Sequence, residues 1–161
     1  MGGGGGGGGG GAMQELQQQL EALEQEKQAM EAEIEGLQSQ QAEIDEAIEA
    51  LETLDSGDTV QVPLGGGAYV PATVEDIDEV VVGLGGGYAA ERDEAGAVES
   101  LEDKRDLLDE RIEEIREDIA EVESETERLE QQAQQVQQQQ MQQMQQQMGG
   151  GLGGQGGDDD E

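Results

Sequence analysis

The sequence predicts an α+β chain, a long antiparallel two-helix coiled coil with two central β-hairpins. Three observations point there. Apolar residues recur at alternating intervals of three and four in two separate stretches, the period drops to two between them, and glycine runs punctuate that middle region.

The first stretch reads Leu16, Leu20, Leu23, Lys27, Met30, Ile34, Leu37, Gln41, Ile44, Ile48 and Leu51, with Glu and Gln filling most positions between. One narrow stripe is apolar and the rest is solvated, the pattern of a coiled-coil seam. A helix is expected over residues 13–54, and Asp55-Ser56-Gly57-Asp58 ends it. The second stretch reads Val98, Leu101, Arg105, Leu108, Ile112, Ile115, Ile119, Val122, Thr126, Leu129, Ala133 and Val136, apolar but for Arg105 and Thr126. It predicts a helix over 93–140. At a rise of ~1.5 Å per residue each helix is on the order of 60 Å long.

Residues 59–92 hold four short stretches of strand character: Thr59–Leu64, Ala68–Val74, Val80–Gly83 and Tyr88–Glu91. Gly65-Gly66-Gly67 and Gly83-Leu84-Gly85-Gly86-Gly87 supply turns, and Glu75-Asp76-Ile77-Asp78 separates the two hairpins. Short hairpins are marginal alone in water, so their apolar residues Val60, Val62, Leu64, Tyr69, Val70, Val74, Val80, Val82 and Tyr88 are the candidates for oligomerisation. The two helices then pair antiparallel, with facing residue numbers totalling about 152 when the helix ends bracketing the hairpins are aligned. That register sets Lys27 near Glu125 and Thr126, where the seams are polar together. Two readings of Lys27 stand, a polar layer that fixes register and a side chain that snorkels to water.

Residues 1–12 are almost pure glycine and are expected to form a disordered leader, with Met13 a second candidate start. Residues 141–161 form a Gln/Met/Gly/acidic tail. Met141, Met144 and Met148 fall out of phase with the seam amid near-continuous Gln, and methionine suits surfaces that accept many apolar shapes. They are candidates for contact with non-native proteins, together with Val136 at the end of the second seam and Met13, Leu16 and Leu20 at the start of the first. The alternative is a low-complexity extension that tolerates methionine, and for the heptad residues a place in the core.

Composition excludes much else. The chain carries 40 acidic and 7 basic residues, for a net charge of −33, which excludes general phosphate-backbone binding and so nucleic acid as partner. The acidic residues are spread rather than blocked, favouring the solvating surface of a high-salt cytoplasm over a docking face for a basic partner. There is no Cys or His, and Ser is found only at 39, 56, 100 and 124, so no thiol catalysis, zinc site or Ser/His arrangement is expected. No enzyme, cofactor or metal follows. Position 88 is Tyr where a dinucleotide fingerprint needs glycine, so the Gly83–Gly87 run reads as a hairpin connection. Asp158–Glu161 lacks the spacing of a calcium loop and reads as a solvated tail. Gly6 stands where a lipidation signal at Gly2 requires Ser or Thr, and no apolar run is long enough for a membrane span.

The stretches Val62-Pro63-Leu64-Gly65-Gly66-Gly67-Ala68-Tyr69-Val70-Pro71-Ala72 and Val80-Val81-Val82-Gly83-Leu84-Gly85-Gly86-Gly87-Tyr88-Ala89-Ala90-Glu91 resemble the hairpin region of archaeal prefoldin α subunits. The resemblance covers about residues 13–140, and two hairpins rather than one mark the α type. It implies a cytoplasmic hexamer of two α and four prefoldin β subunits, whose hairpins assemble into an inter-subunit β-barrel. It also implies that coiled-coil tips hold unfolded client proteins without ATP and pass them to a group II chaperonin. The rival reading of the same sequence is a passive coiled-coil scaffold, which accounts for the helices but not for about thirty residues of paired-strand pattern between them.

Exchanging Lys27 for Leu is expected to raise stability in chemical denaturation while loosening register. Unchanged stability counts against the polar layer.

Overall fold

A computed structural model of the chain describes residues 8–152. Helix α1 (Gly8–Thr53) is followed by strands β1 (Thr59–Gly65), β2 (Ala68–Thr73), β3 (Val80–Gly85) and β4 (Tyr88–Arg92), and then by helix α2 (Glu94–Leu152). The chain forms two compact units, one of residues 8–31 with 116–152 and one of Ala32–Ile115.

In the first unit the seam is the core. Leu16 and Val122 are buried, while Leu20, Leu23, Lys27, Met30, Ile119, Thr126, Leu129, Ala133 and Val136 are half-buried. The other residues of 14–31 and 116–139 are exposed, so 3.6-residue periodicity has sorted the two faces. The Lys27 ammonium lies 3.1 Å from a Glu123 carboxylate oxygen.

The second unit continues the same logic with Ile44, Ile112 and Ile115 buried on the seam. Its polar seam residues are partnered across the helices. Gln41 Nε2 donates to Asp109 Oδ1 at 2.6 Å and to the Arg105 carbonyl at 3.3 Å, and the Arg105 guanidinium pairs with Asp45 at 2.6 Å. Arg111 reaches Glu33 at 3.1 Å. Lys27/Glu123, Gln41/Asp109 and Asp45/Arg105 share one antiparallel register, with partner numbers totalling 150, two residues from the expected alignment.

The hairpins are two separate two-stranded antiparallel sheets, β1 with β2 and β3 with β4. Val62 faces Val70 in the first, Val82 faces Ala90 in the second, and each register shifts by one residue just before its turn. The turns are Gly66-Gly67 and Gly86-Gly87, with φ of 61° and 82° and of 62° and 82°, and Gly65 and Gly85 precede them at 97° and 94°. Tight hairpin turns that match strand twist need positive φ at both central residues, which only glycine supplies without strain.

The hairpins are tied to the helix ends by short polar bonds. Ser56 Oγ accepts from the Ile77 amide at 3.0 Å, and Asp78 Oδ1 accepts from the Glu94 amide at 3.4 Å. Asp93 caps α2, its Oδ1 accepting from the Gly96 amide at 2.7 Å, an arrangement whose loss costs about 1 kcal/mol. A Cβ at Gly96 would sit 2.7 Å from that same oxygen, so a larger residue there would make the Asp93 side chain shift.

The helices extend past their expected ends. α1 begins at Gly8 rather than Met13, which removes residues 8–12 from the expected leader, and α2 runs to Leu152 rather than 140, taking in Met141, Met144 and Met148. Once nucleated, a helix gains a hydrogen bond for each residue added, and the Gln run after Val136 contains no breaker before Gly149. The first seven residues, with Met1 and the Gly2 lipidation reading, and the acidic run Asp158–Glu161 lie outside the described residues.

Candidate interaction surfaces

Alternation along each strand sends neighbouring side chains to opposite faces. In the second hairpin Val82 is only 6% exposed and Val80 is half-buried, while Val81 between them is 70% exposed. Val80 and Val82 border a shallow hollow with Ala47 and Leu51 of α1, Leu54 just past its end and Leu101 of α2. Val82 therefore belongs to the core of its own chain, which separates it from the other oligomerisation candidates. Val60 and Val74 are half-buried, and Val62, Leu64, Tyr69, Val70 and Tyr88 are exposed, Tyr88 to 77%.

Val81 and Leu84 (55% exposed) join this set, although the sequence had not singled them out. Both lie inside quoted strand and turn segments, and only the phase of the hairpin against the helices distinguishes Val81 from Val82. Leu107 is a further exposed apolar residue, on α2 and off the seam, beside Leu84 in a groove that Arg92 and Lys104 also line. Its signal was a Leu-Leu pair of which the heptad uses only Leu108. Each sheet has two strands, so every strand keeps one unpaired edge among the described residues.

The candidates on the first unit divide the same way. Leu16 is buried, and Met13, Leu20 and Val136 are half-buried, so the heptad members serve the seam. Met141, Met144 and Met148 are exposed. Gln140, half-buried, continues the seam spacing from Val136, and the methionines start one residue later. That single residue turns them about 100° around the helix.

Lys27 is half-buried among Glu24, Glu123, Thr126, Glu127 and Glu130. The Glu123 hydrogen bond first, and then the attraction of Glu123, raise its pKa above the ordinary lysine value. The folded state therefore favours the charged form. Its contribution to stability is full below the lysine pKa of the unfolded chain and is lost as pH climbs through the raised value. Among the described residues no group of three or more Asp, Glu, His or Cys is placed to hold a metal ion, and no helix is long and apolar enough to cross a membrane.

A family model described as prefoldin subunit matches residues 23–139. Prefoldin subunit alpha of Haloarcula marismortui is 70% identical over 60 residues, 37% of this chain and 39% of that protein. The α subunit of Halorubrum lacusprofundi is 68% identical over 62 residues, 38% of this chain and 41% of that one. The matched stretch thus spans about two fifths of the length of these curated relatives. A filamentous PFD from Methanocaldococcus jannaschii, solved by cryo-electron microscopy, is 32% identical and covers 73% of this chain and 94% of its own, with a TM-score of 0.49.

Val82→Ala is expected to destabilise the chain by about 2 kcal/mol, the cost of emptying a buried valine site. Tyr88→Ser at an exposed position should stay within ~0.5 kcal/mol. Urea unfolding followed by circular dichroism measures both, and equal losses would contradict the division between core and surface.

Proposed function

The chain belongs to the prefoldin subunit family, and from that premise we propose that it is the α-type subunit of an ATP-independent holdase. In this reading its hairpins pair with those of prefoldin β subunits, two α with four β, in a cytoplasmic hexamer. The coiled-coil ends hold unfolded client proteins for delivery to a group II chaperonin.

The observation that carries the reading is the row of exposed Val62, Leu64, Tyr69, Val70, Val81, Leu84 and Tyr88 on hairpins with unpaired edges. A monomer in water gains nothing by exposing them, whereas strand pairing between chains removes both the apolar surface and the unpaired backbone. The exposed Met141, Met144 and Met148 at the other end of α2 support client contact through side chains that adapt to many apolar shapes.

The charge of −33 supports a high-salt cytoplasm, because at 1 M salt the screening length falls to about 3 Å and self-repulsion of the carboxylates is largely suppressed.

The test mixes the chain with a β-type partner in high salt and follows aggregation of a diluted, denatured protein by light scattering without nucleotide. Suppression by the full-length complex, lost on truncation after Val136, is expected. A well-assembled complex that suppresses nothing would leave only a passive scaffold.

A further inference from the structure

The last stretch of α2 differs from the rest of the helix in charge as well as in phase. Between Glu94 and Glu130 the helix carries sixteen carboxylates and five cations, whereas residues 131–149 carry no charged side chain. The start of α1 matches it, with Glu15 the only charged residue from Gly8 to Leu20. In the register of Lys27 and Glu123, Gly8 stands opposite residue 142, so Met144 and Met148 lie past the level that α1 reaches.

Met141, Met144 and Met148 keep a three-then-four spacing of their own, a two-turn coiled-coil stripe that is exposed in all three members, with Met144 and Met148 past the described end of α1. We propose that this neutral end of α2 is a homotypic docking surface, where two copies of the chain pair with the methionine stripe of one helix against that of the other.

Charge argues for the second copy. Copies at −33 repel along most of their length, and the uncharged end is where like surfaces meet without opposing charge. Glutamine amides carry donors and acceptors, so a Gln-flanked stripe can hydrogen-bond to an identical one, which an ionised carboxylate surface cannot. A regular 3-4 stripe fits a helix better than an extended chain, and methionine packs in such a seam without demanding one register. The inference goes beyond the holdase reading, sharing its methionines but not requiring that clients bind.

The chain has no cysteine, so one introduced thiol is a clean reporter. Met144 is the middle of the stripe and meets its counterpart in either helix orientation. Gln142 is exposed at the same level, about 200° around the helix. Full-length Met144→Cys and Gln142→Cys chains are oxidised at equal concentration and salt, and disulfide-linked dimers are measured on non-reducing gels. A several-fold higher dimer yield from Met144→Cys is expected, and equal yields would overturn the proposal.

Exchange of all three methionines for Gln in the same light-scattering assay separates the two readings. Stripe-specific disulfides with no aggregation suppression leave the pairing standing and remove the holdase. Suppression that depends on the methionines, in a chain whose Met144→Cys form stays monomeric, assigns the stripe to clients and overturns the pairing.

Discussion

The apolar seam between α1 and α2 is the interaction on which the rest of this molecule depends. With no Phe or Trp, the interior is built from aliphatic side chains, and buried residues such as Ile44, Ile112, Ile115 and Val122 each contribute about 1.5–3 kcal/mol. A stripe two residues wide per heptad leaves most of each helix in water, so a chain so acidic can fold without burying a carboxylate. Where the seam turns polar, Lys27, Gln41 and Arg105 find partners on the facing helix, and Thr126 bonds the carbonyl one turn back. These contacts add little energy at exposed edges, but they distinguish one register from its neighbours.

The same economy explains the hairpins. Their turns are fixed by glycines at positive φ, and the loops at their bases are held by Ser56 and Asp78, yet only Val82 is buried in them. A two-stranded sheet with one covered residue is marginal in water, which is what the proposed pairing with other chains would relieve. Stability within the chain and exposure toward partners are thus assigned to different elements, the seam holding and the hairpins presenting.

Much of this was legible in the sequence because its periods are clean. Every seam position named from the three-and-four spacing is buried or half-buried, since the facing helix leaves only that stripe out of water. The hairpin turns were legible because consecutive glycines between valine-rich stretches have few other uses. What the sequence could not supply was phase and extent. Val81 and Val82 look alike until the helices beneath decide which is covered. Lys27 selects Glu123 rather than Glu125 because the helices align two residues away from the register that the sequence suggests. A helix end set by propagation rather than by a cap leaves no mark in a Gln run.

Both helices depend on antiparallel pairing of the seams, and a distance across them tests that pairing most directly. Glu26 and Glu125 are exposed positions flanking the seams at one level of the first unit. Spin labels on cysteines at these two sites are expected to give a narrow, short distance distribution, set by helix axes about 10 Å apart. A broad distribution reaching several times that separation would contradict the pairing on which the surfaces depend.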